Sequence, residues 1–152
     1  MDDADSPDTC GLGIRGVSMA IDSGVWFVFL FVAIYPVAAA TGQLETTAEG
    51  VNASLEGTPA TVALGLWLAL GIGYHTLAEW RYGKTIGKYL VSIRVVGDDG
   101  AAPSLRASLV RNALRLVDWL PLFYLVGIVA LLLSDRDRRL GDRVGDTLVV
   151  RE

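Results

Sequence analysis

An aspartate lies inside the first long apolar stretch of the sequence, where a charged side chain is costly. Asp22 falls within residues 17–40, which are otherwise almost wholly apolar, and a helix that crosses a bilayer needs about 20 such residues. A carboxyl group at membrane depth usually has a partner or a function. Arg15 precedes it by seven residues, about two helical turns, and is the expected partner; Arg111 and Arg115 are alternatives. With a guanidinium partner Asp22 stays ionised, and without one it becomes a proton carrier.

A second pair of ionisable residues, His75 and Glu79, lies in the next apolar stretch. Residues four apart share one face of a helix. Together with Asp22 they could form a proton or cation path between helices. The alternative is that they make polar contacts that hold helices or subunits together.

Composition and residue spacing argue against a metal site, a catalytic triad and a nucleotide-binding loop. One histidine and dispersed carboxylates lack a compact ligand pattern, so we expect no metal and no other cofactor. Because that histidine lies in an apolar helix, no catalytic triad is available, and we expect no enzymatic activity. Gly83–Lys88 has three residues between its glycines where a phosphate loop needs four, which argues against a nucleotide. Its two lysines suit anionic lipid headgroups instead.

Composition indicates a single membrane domain. The 152 residues are 52% hydrophobic and carry a net charge of −4, with a mean hydropathy of +0.44. An acidic chain without a basic patch is unsuited to nucleic acid, so the expected partner is the lipid bilayer. Residues 1–12 are polar and acidic, and we expect a disordered tail there before a membrane domain at residues 13–152. Cys10, the single cysteine, should be an exposed thiol within that tail.

The expected fold class is an all-α membrane protein. Two transmembrane helices are predicted at about residues 14–40 and 59–81, an amphipathic interfacial helix at 104–117, and a third, short membrane-embedded helix at about 119–134. The third apolar stretch spans about 22 Å of a core of about 30 Å. It is therefore either a short tilted span or a re-entrant segment, and the C-terminal tail is correspondingly external or cytoplasmic, with its arginines favouring the cytoplasm.

A small cytoplasmic β element accompanies these helices. The β-branched residues 89–96 end at a Gly-Asp-Asp-Gly turn and predict a strand. Residues 147–150 are also strand-like and are expected to pair with it. Residues 41–58 form a connection without Lys or Arg, whereas the next loop is rich in both. By the positive-inside rule the N-terminus is cytoplasmic in the cell membrane and this first connection is external.

Several motifs together resemble the RDD family of small membrane proteins. They are Arg15–Asp22 at the start of the first helix, Lys84–Lys88 leading into Ile93–Val96, Asp99-Gly100, Arg111 ahead of Leu116–Asp118, and Leu140–Thr147. The resemblance covers residues 14–150. It implies that the family arginine corresponds to Arg15, the first aspartate to Asp22, and the second to Asp142 or Asp118. Asp146 departs from the pattern, because a small residue is expected there.

The resemblance implies a membrane protein of unknown activity, with sodium- or potassium-for-proton exchange suggested for some members. Two functional hypotheses follow. In the first, the chain assists cation or proton movement, with Asp22 as the titrating group and Arg15 controlling its ionisation. Two crossings enclose no pore, so this role requires a homo-oligomer. In the second, the chain is a non-transporting scaffold or lipid-interacting protein, and the same charges only hold helices together.

Overall fold

The computed structural model of the protein describes residues 10–119 and 140–151. The described chain is mostly helical, with short strands. It divides into two compact units, one formed by Ser23–Gly73 and the other by Met1–Asp22 together with Tyr74–Glu152. We call the first the continuous unit and the second the discontinuous unit. All the ionisable residues singled out above belong to the discontinuous unit.

Two long helices, α1 (Leu12–Thr41) and α2 (Gly57–Tyr82), run through both units. Both are long and apolar enough to cross a membrane, and only 17% and 22% of their most apolar windows are buried. The core helix of a water-soluble protein would bury most of such a stretch. Large side chains on α1 are exposed instead, among them Phe27, Val28, Phe31 and Val32. Continuous exposed apolar surface of this kind is typical of a membrane-facing helix.

Within the continuous unit, the two helices are joined by aromatic packing. The rings of Trp26 and Trp67 meet edge to face with centroids 5.3 Å apart, a favoured aromatic geometry. The indole N–H of Trp67 also donates to the backbone oxygen of Trp26 at 2.9 Å. This bond satisfies a donor that would be costly to leave unpaired at membrane depth.

The connection between α1 and α2 contains a β-hairpin that the sequence analysis did not predict. Strands β1 (Leu44–Thr47) and β2 (Gly50–Ala53) pair antiparallel, with Thr47 opposite Gly50. Both strands are largely exposed, so neither shows the apolar alternation by which a half-buried strand is recognised.

The expected strand at 89–96 begins later than predicted. Residues Ile86–Leu90 form a short helix, α3, and strand β3 covers only Ile93–Gly97. Thr85 is the N-cap of α3, since its side chain accepts a hydrogen bond from the Lys88 N–H. The strand was predicted from the β-branched composition of residues 91–96. The N-cap at Thr85 instead starts a helix before these residues, and the strand follows it.

Strand β4 (Thr147–Arg151) pairs antiparallel with β3, as predicted, and places Val95 opposite Val149. Cys10 packs against this two-stranded sheet, where it is buried, and its N–H donates to the Val149 oxygen at 3.0 Å. The expectation of an exposed thiol in a disordered tail is therefore wrong for Cys10. The rest of the expected tail, residues 1–9, lies outside the described residues.

Helix α4 (Leu105–Trp119) buries its polar side and exposes its apolar side. Ser108, Arg111 and Asn112 are buried, whereas Leu105 and Leu109 are exposed. This burial is the inverse of that in a water-soluble protein. It is the arrangement expected of a helix that faces lipid on one side and a polar protein interior on the other.

A short helix, α5 (Leu140–Val144), packs on α4 and leads into β4. Gly141 permits this approach, because a Cβ atom there would lie 2.8 Å from the Arg111 backbone oxygen. Asp146 adopts a left-handed conformation (φ 48°) just before β4, which aspartate tolerates better than most residues. Apart from Trp119, the last residue of α4, the third apolar stretch predicted at about 119–134 lies outside the described residues.

Candidate functional site

Asp22 is held by hydrogen bonds from neutral groups. Its carboxylate accepts from the Thr85 hydroxyl at 2.6 Å, from the Gly87 N–H at 2.9 Å and from the Tyr74 hydroxyl at 3.3 Å. A side chain at Gly87 would not fit, because its Cβ would lie 2.9 Å from the Asp22 carboxyl carbon. Asp22 therefore anchors the first turn of α3 to α1, and the hydroxyl of Tyr74 extends this anchor by accepting from the Ile86 N–H at 2.8 Å.

The pairing of Arg15 with Asp22 that the sequence suggested is wrong. Arg15 instead donates to the Asp142 carboxylate at 2.7 Å, and both side chains are buried. Arg111 reaches the other oxygen of Asp142 at 3.1 Å. Asp142 thus joins the start of α1 to α4 and α5, and of the two candidates for the family's second aspartate it is the one seen in contact with Arg15. The Asp118 side chain lies outside the described part of the structure.

Glu79 is fully buried and, like Asp22, contacts three residues that donate to it or pair with it. Lys88 forms an ion pair with it, Arg111 approaches at 3.4 Å, and the Asn112 amide donates to it at 2.8 Å. Arg111 therefore bridges two carboxylates, Glu79 and Asp142. We call the connected set Arg15, Glu79, Lys88, Arg111 and Asp142 the buried charge network.

His75 lies beside this network, one helical turn before Glu79, and its side chain is buried. A guanidinium N–H of Arg115 donates to its Nδ1 atom at 2.8 Å. Since a guanidinium has no acceptor, Nδ1 must be unprotonated in this contact. His75 and Glu79 thus occupy one face of α2, as expected, and both bond to residues of α4.

Lys88 has an unusual electrostatic environment. Burial of its ammonium group, reinforced by the positive charge of Arg111, lowers the pKa of Lys88 to about 7, although Glu79 opposes the shift. Burial would also lower the pKa of Arg111, but the carboxylates of Glu79 and Asp142 raise it above its ordinary value. Lys88 is therefore a member of the network whose pKa lies near neutral pH.

A pH experiment checks this property of Lys88. The unfolded chain keeps the Lys88 proton up to its ordinary pKa of 10.5, whereas the folded protein releases it near 7. Because the unfolded state binds more protons between these values, stability contributed through Lys88 should rise as the pH rises through that window. We expect the unfolding free energy of wild type to increase between about pH 7 and pH 10 relative to Lys88→Met.

Lys84→Met is the matched control, since Lys84 and Lys88 are the only lysines of the chain. It should retain the pH dependence of wild type in chemical unfolding followed by circular dichroism. Equal slopes for wild type and Lys88→Met would contradict the assignment.

A small cavity of about 30 Å³ adjoins the network, and Arg15, Lys88, Arg111 and Asp142 are among its lining residues. This volume holds a water molecule but no organic ligand. No group of three or more His, Cys, Asp or Glu side chains suited to a metal ion occurs among the described residues.

Sequence reasoning missed Thr85, Lys88, Asn112 and Tyr74 as parts of the site. Lys88 was treated as a surface lysine, although it is buried. One sequence signal was available. Thr85 lies three residues before Lys88, and an N-cap side chain accepts a hydrogen bond from the backbone N–H at that spacing. A helix start at Thr85 would have turned Lys88 away from the solvent-exposed positions 86, 89 and 90.

Comparison with known proteins agrees with the motifs. The model of the RDD family matches residues 9–146, which is most of the chain. Searches of curated proteins and of solved structures gave no significant match.

Proposed function

The chain belongs to the RDD family of membrane proteins, and from this premise we propose that it is a non-enzymatic membrane scaffold whose buried charges hold its helices together. The main observation in support is that the buried carboxylates already have donors from the protein itself. Asp22, Glu79 and Asp142 each accept from two or more protein donors. A transported cation would have to displace an ammonium or a guanidinium group from Glu79 or Asp142, which leaves a buried charge unpaired at high cost.

The scaffold lies in the cell membrane with its N-terminal segment in the cytoplasm. The distribution of charge supports this orientation, because the segment joining α1 and α2 has no Lys or Arg, whereas residues 81–115 have seven. The contacts of Arg15 with Asp142 and of Cys10 with Val149 support a C-terminal tail on the same side as the N-terminal segment.

Assisted cation or proton movement is the second candidate, and Lys88 is the observation that favours it. Lys88 has a pKa of about 7 and borders the small cavity between Arg15 and Arg111. A group that titrates near working pH beside a water-sized cavity is a plausible relay element. In this role Lys88 is the titrating group, and a homo-oligomer is required to enclose a path.

Flux through reconstituted vesicles separates the two functions. With an imposed pH gradient, we expect no protein-dependent sodium, potassium or proton flux from wild type, Asp22→Asn or Lys88→Met. Asp22→Asn should unfold more easily by about 1–3 kcal/mol, since it disturbs bonds to buried donors. Arg94→Gln, an exposed change on β3, should leave stability unchanged.

A contrary result is well defined. Protein-dependent cation or proton flux from wild type would overturn the scaffold proposal, and loss of that flux in Lys88→Met would assign the relay to Lys88. Light scattering of the detergent complex gives the number of subunits in the same preparations.

A further inference from the structure

The small cavity beside the buried charge network is lined by several cations. It has a volume of about 30 Å³ and lies within the discontinuous unit, where α1, α3, α4, α5 and the β3–β4 sheet all contribute lining residues. Its charged lining residues are Arg15, Lys88, Arg111, Arg115 and Asp142. Lysine and arginine side chains donate hydrogen bonds and accept none. A water molecule in this cavity must donate as well as accept, whereas an anion only accepts.

The carboxylate of the cavity, Asp142, is already held by two guanidinium groups. Arg15 pairs with one of its oxygens at 2.7 Å, and the Nη1 atom of Arg111 lies 3.1 Å from the other. Despite that short distance, Arg111 Nη1 has no acceptor in hydrogen-bond geometry among the described residues, and it is buried. Buried donors without an acceptor are rare, and an ion or a water molecule is a common explanation for them.

Arg115 is a second cation of the cavity with an unmet requirement. Its guanidinium donates to the unprotonated Nδ1 atom of His75 at 2.8 Å, and no carboxylate of the described residues lies within ion-pair distance of it. Burial lowers the pKa of Arg115, and although Glu79 opposes this shift, the positive charge of Arg111 reinforces it. A guanidinium taken out of water without a paired anion is costly.

We propose that the cavity binds a chloride ion as the counter-ion of Arg111 and Arg115. A monatomic anion is close in size to the water molecule that this volume admits, whereas an organic anion is too large. The chloride accepts from Arg111 Nη1 and from the Arg115 guanidinium, and Arg15 and Arg111 offset the repulsion between the ion and Asp142. This inference holds whether the protein is a scaffold or assists cation movement, because it concerns an anion held inside the network.

Thermal unfolding of the full chain in detergent tests chloride binding. Sodium chloride is exchanged for sodium gluconate at constant ionic strength, since gluconate screens surface charges equally but is too large for the cavity. A ligand that binds only the folded state stabilises it in proportion to the occupancy of its site. Wild type should therefore melt at a higher temperature in chloride, with a saturable dependence on its concentration. Equal melting temperatures in the two salts would overturn the proposal.

Arg115→Gln tests where the ion lies. The variant removes a charged donor, so the dissociation constant for chloride should rise at least about tenfold. Arg106→Gln is the matched control, because Arg106 is an exposed arginine of the same helix, and it should keep the chloride dependence of wild type. A dissociation constant in Arg115→Gln equal to that of wild type would place the ion elsewhere and contradict the assignment.

A second measurement locates the ion in wild type, so that the test does not depend on the folding of Arg115→Gln. Bromide replaces chloride in crystals of the protein, and its anomalous scattering marks its position. We expect a peak within hydrogen-bond distance of Arg111 Nη1 and the Arg115 guanidinium. A cavity that contains only water, or bromide confined to the outer surface, would refute the chloride site.

Discussion

Replacing Glu79 with glutamine should lower the free energy of unfolding by about 3–5 kcal/mol, the cost of breaking a buried ion pair from one side. Glu79 is fully buried and neutralises Lys88 and Arg111. Glutamine keeps the shape of the side chain and removes its charge. Among the described residues of the buried charge network, the variant leaves Asp142 as the carboxylate that balances Arg15 and Arg111, and also Lys88 while Lys88 is protonated.

The measurement is chemical unfolding in a fixed detergent, followed by circular dichroism. Glu49→Gln is the control, since Glu49 is exposed in the hairpin turn and should change stability by less than about 0.5 kcal/mol. Adding Lys88→Met to Glu79→Gln should recover part of the loss at a pH low enough to keep Lys88 protonated, because it removes one of the unbalanced cations. A stability equal to wild type for Glu79→Gln would show that the network contributes nothing.

Asp142→Asn should have the second largest effect, also about 3–5 kcal/mol. Asp142 accepts from Arg15 at 2.7 Å and lies 3.1 Å from Arg111, so its loss of charge affects both guanidinium groups. Because Arg15 and Asp142 are 127 residues apart in the sequence, the effect reports a tertiary contact rather than local helix stability.

A double-mutant cycle with Arg15→Gln isolates that contact. The losses from Asp142→Asn and Arg15→Gln should not add, and the coupling energy should fall within about 0.5–3 kcal/mol. The same cycle between Arg15→Gln and Asp22→Asn should give a smaller coupling, since Asp22 is bonded to Thr85 and Gly87 instead. A larger coupling for Arg15 with Asp22 would reverse the assignment of partners.

The sequence predicted the membrane-length helices and the pairing of the last strand well, because both depend on local pattern. An unbroken apolar stretch is sufficient for α1, and β-branched residues bounded by turns are sufficient for β4. Family motifs also placed Arg15, Asp22 and Asp142 among the important positions. In these cases a residue could be assigned to a helix, a strand or a family motif without knowing which residues it contacts.

Partners were harder to predict, since periodicity gives the face of a helix but not what lies against it. Arg15 and Asp22 share a side of α1, yet Arg15 bonds to α5 and Asp22 to α3. The boundary between α3 and β3 depends on a cap at Thr85, which competes with the strand preference of the residues that follow. The β1–β2 hairpin carries no buried face, so no apolar alternation marked it.

The contact between Arg15 and Asp142 has a consequence for synthesis on the ribosome. Arg15 emerges 127 residues before the carboxylate that neutralises it, and β3 is made well before β4. During that interval the nascent chain lacks the contact between Arg15 and Asp142 and presents β3 as an open strand edge, the kind of intermediate that chaperones and proteases recognise. This part of the fold is therefore completed only after residues 142–151 have been synthesised.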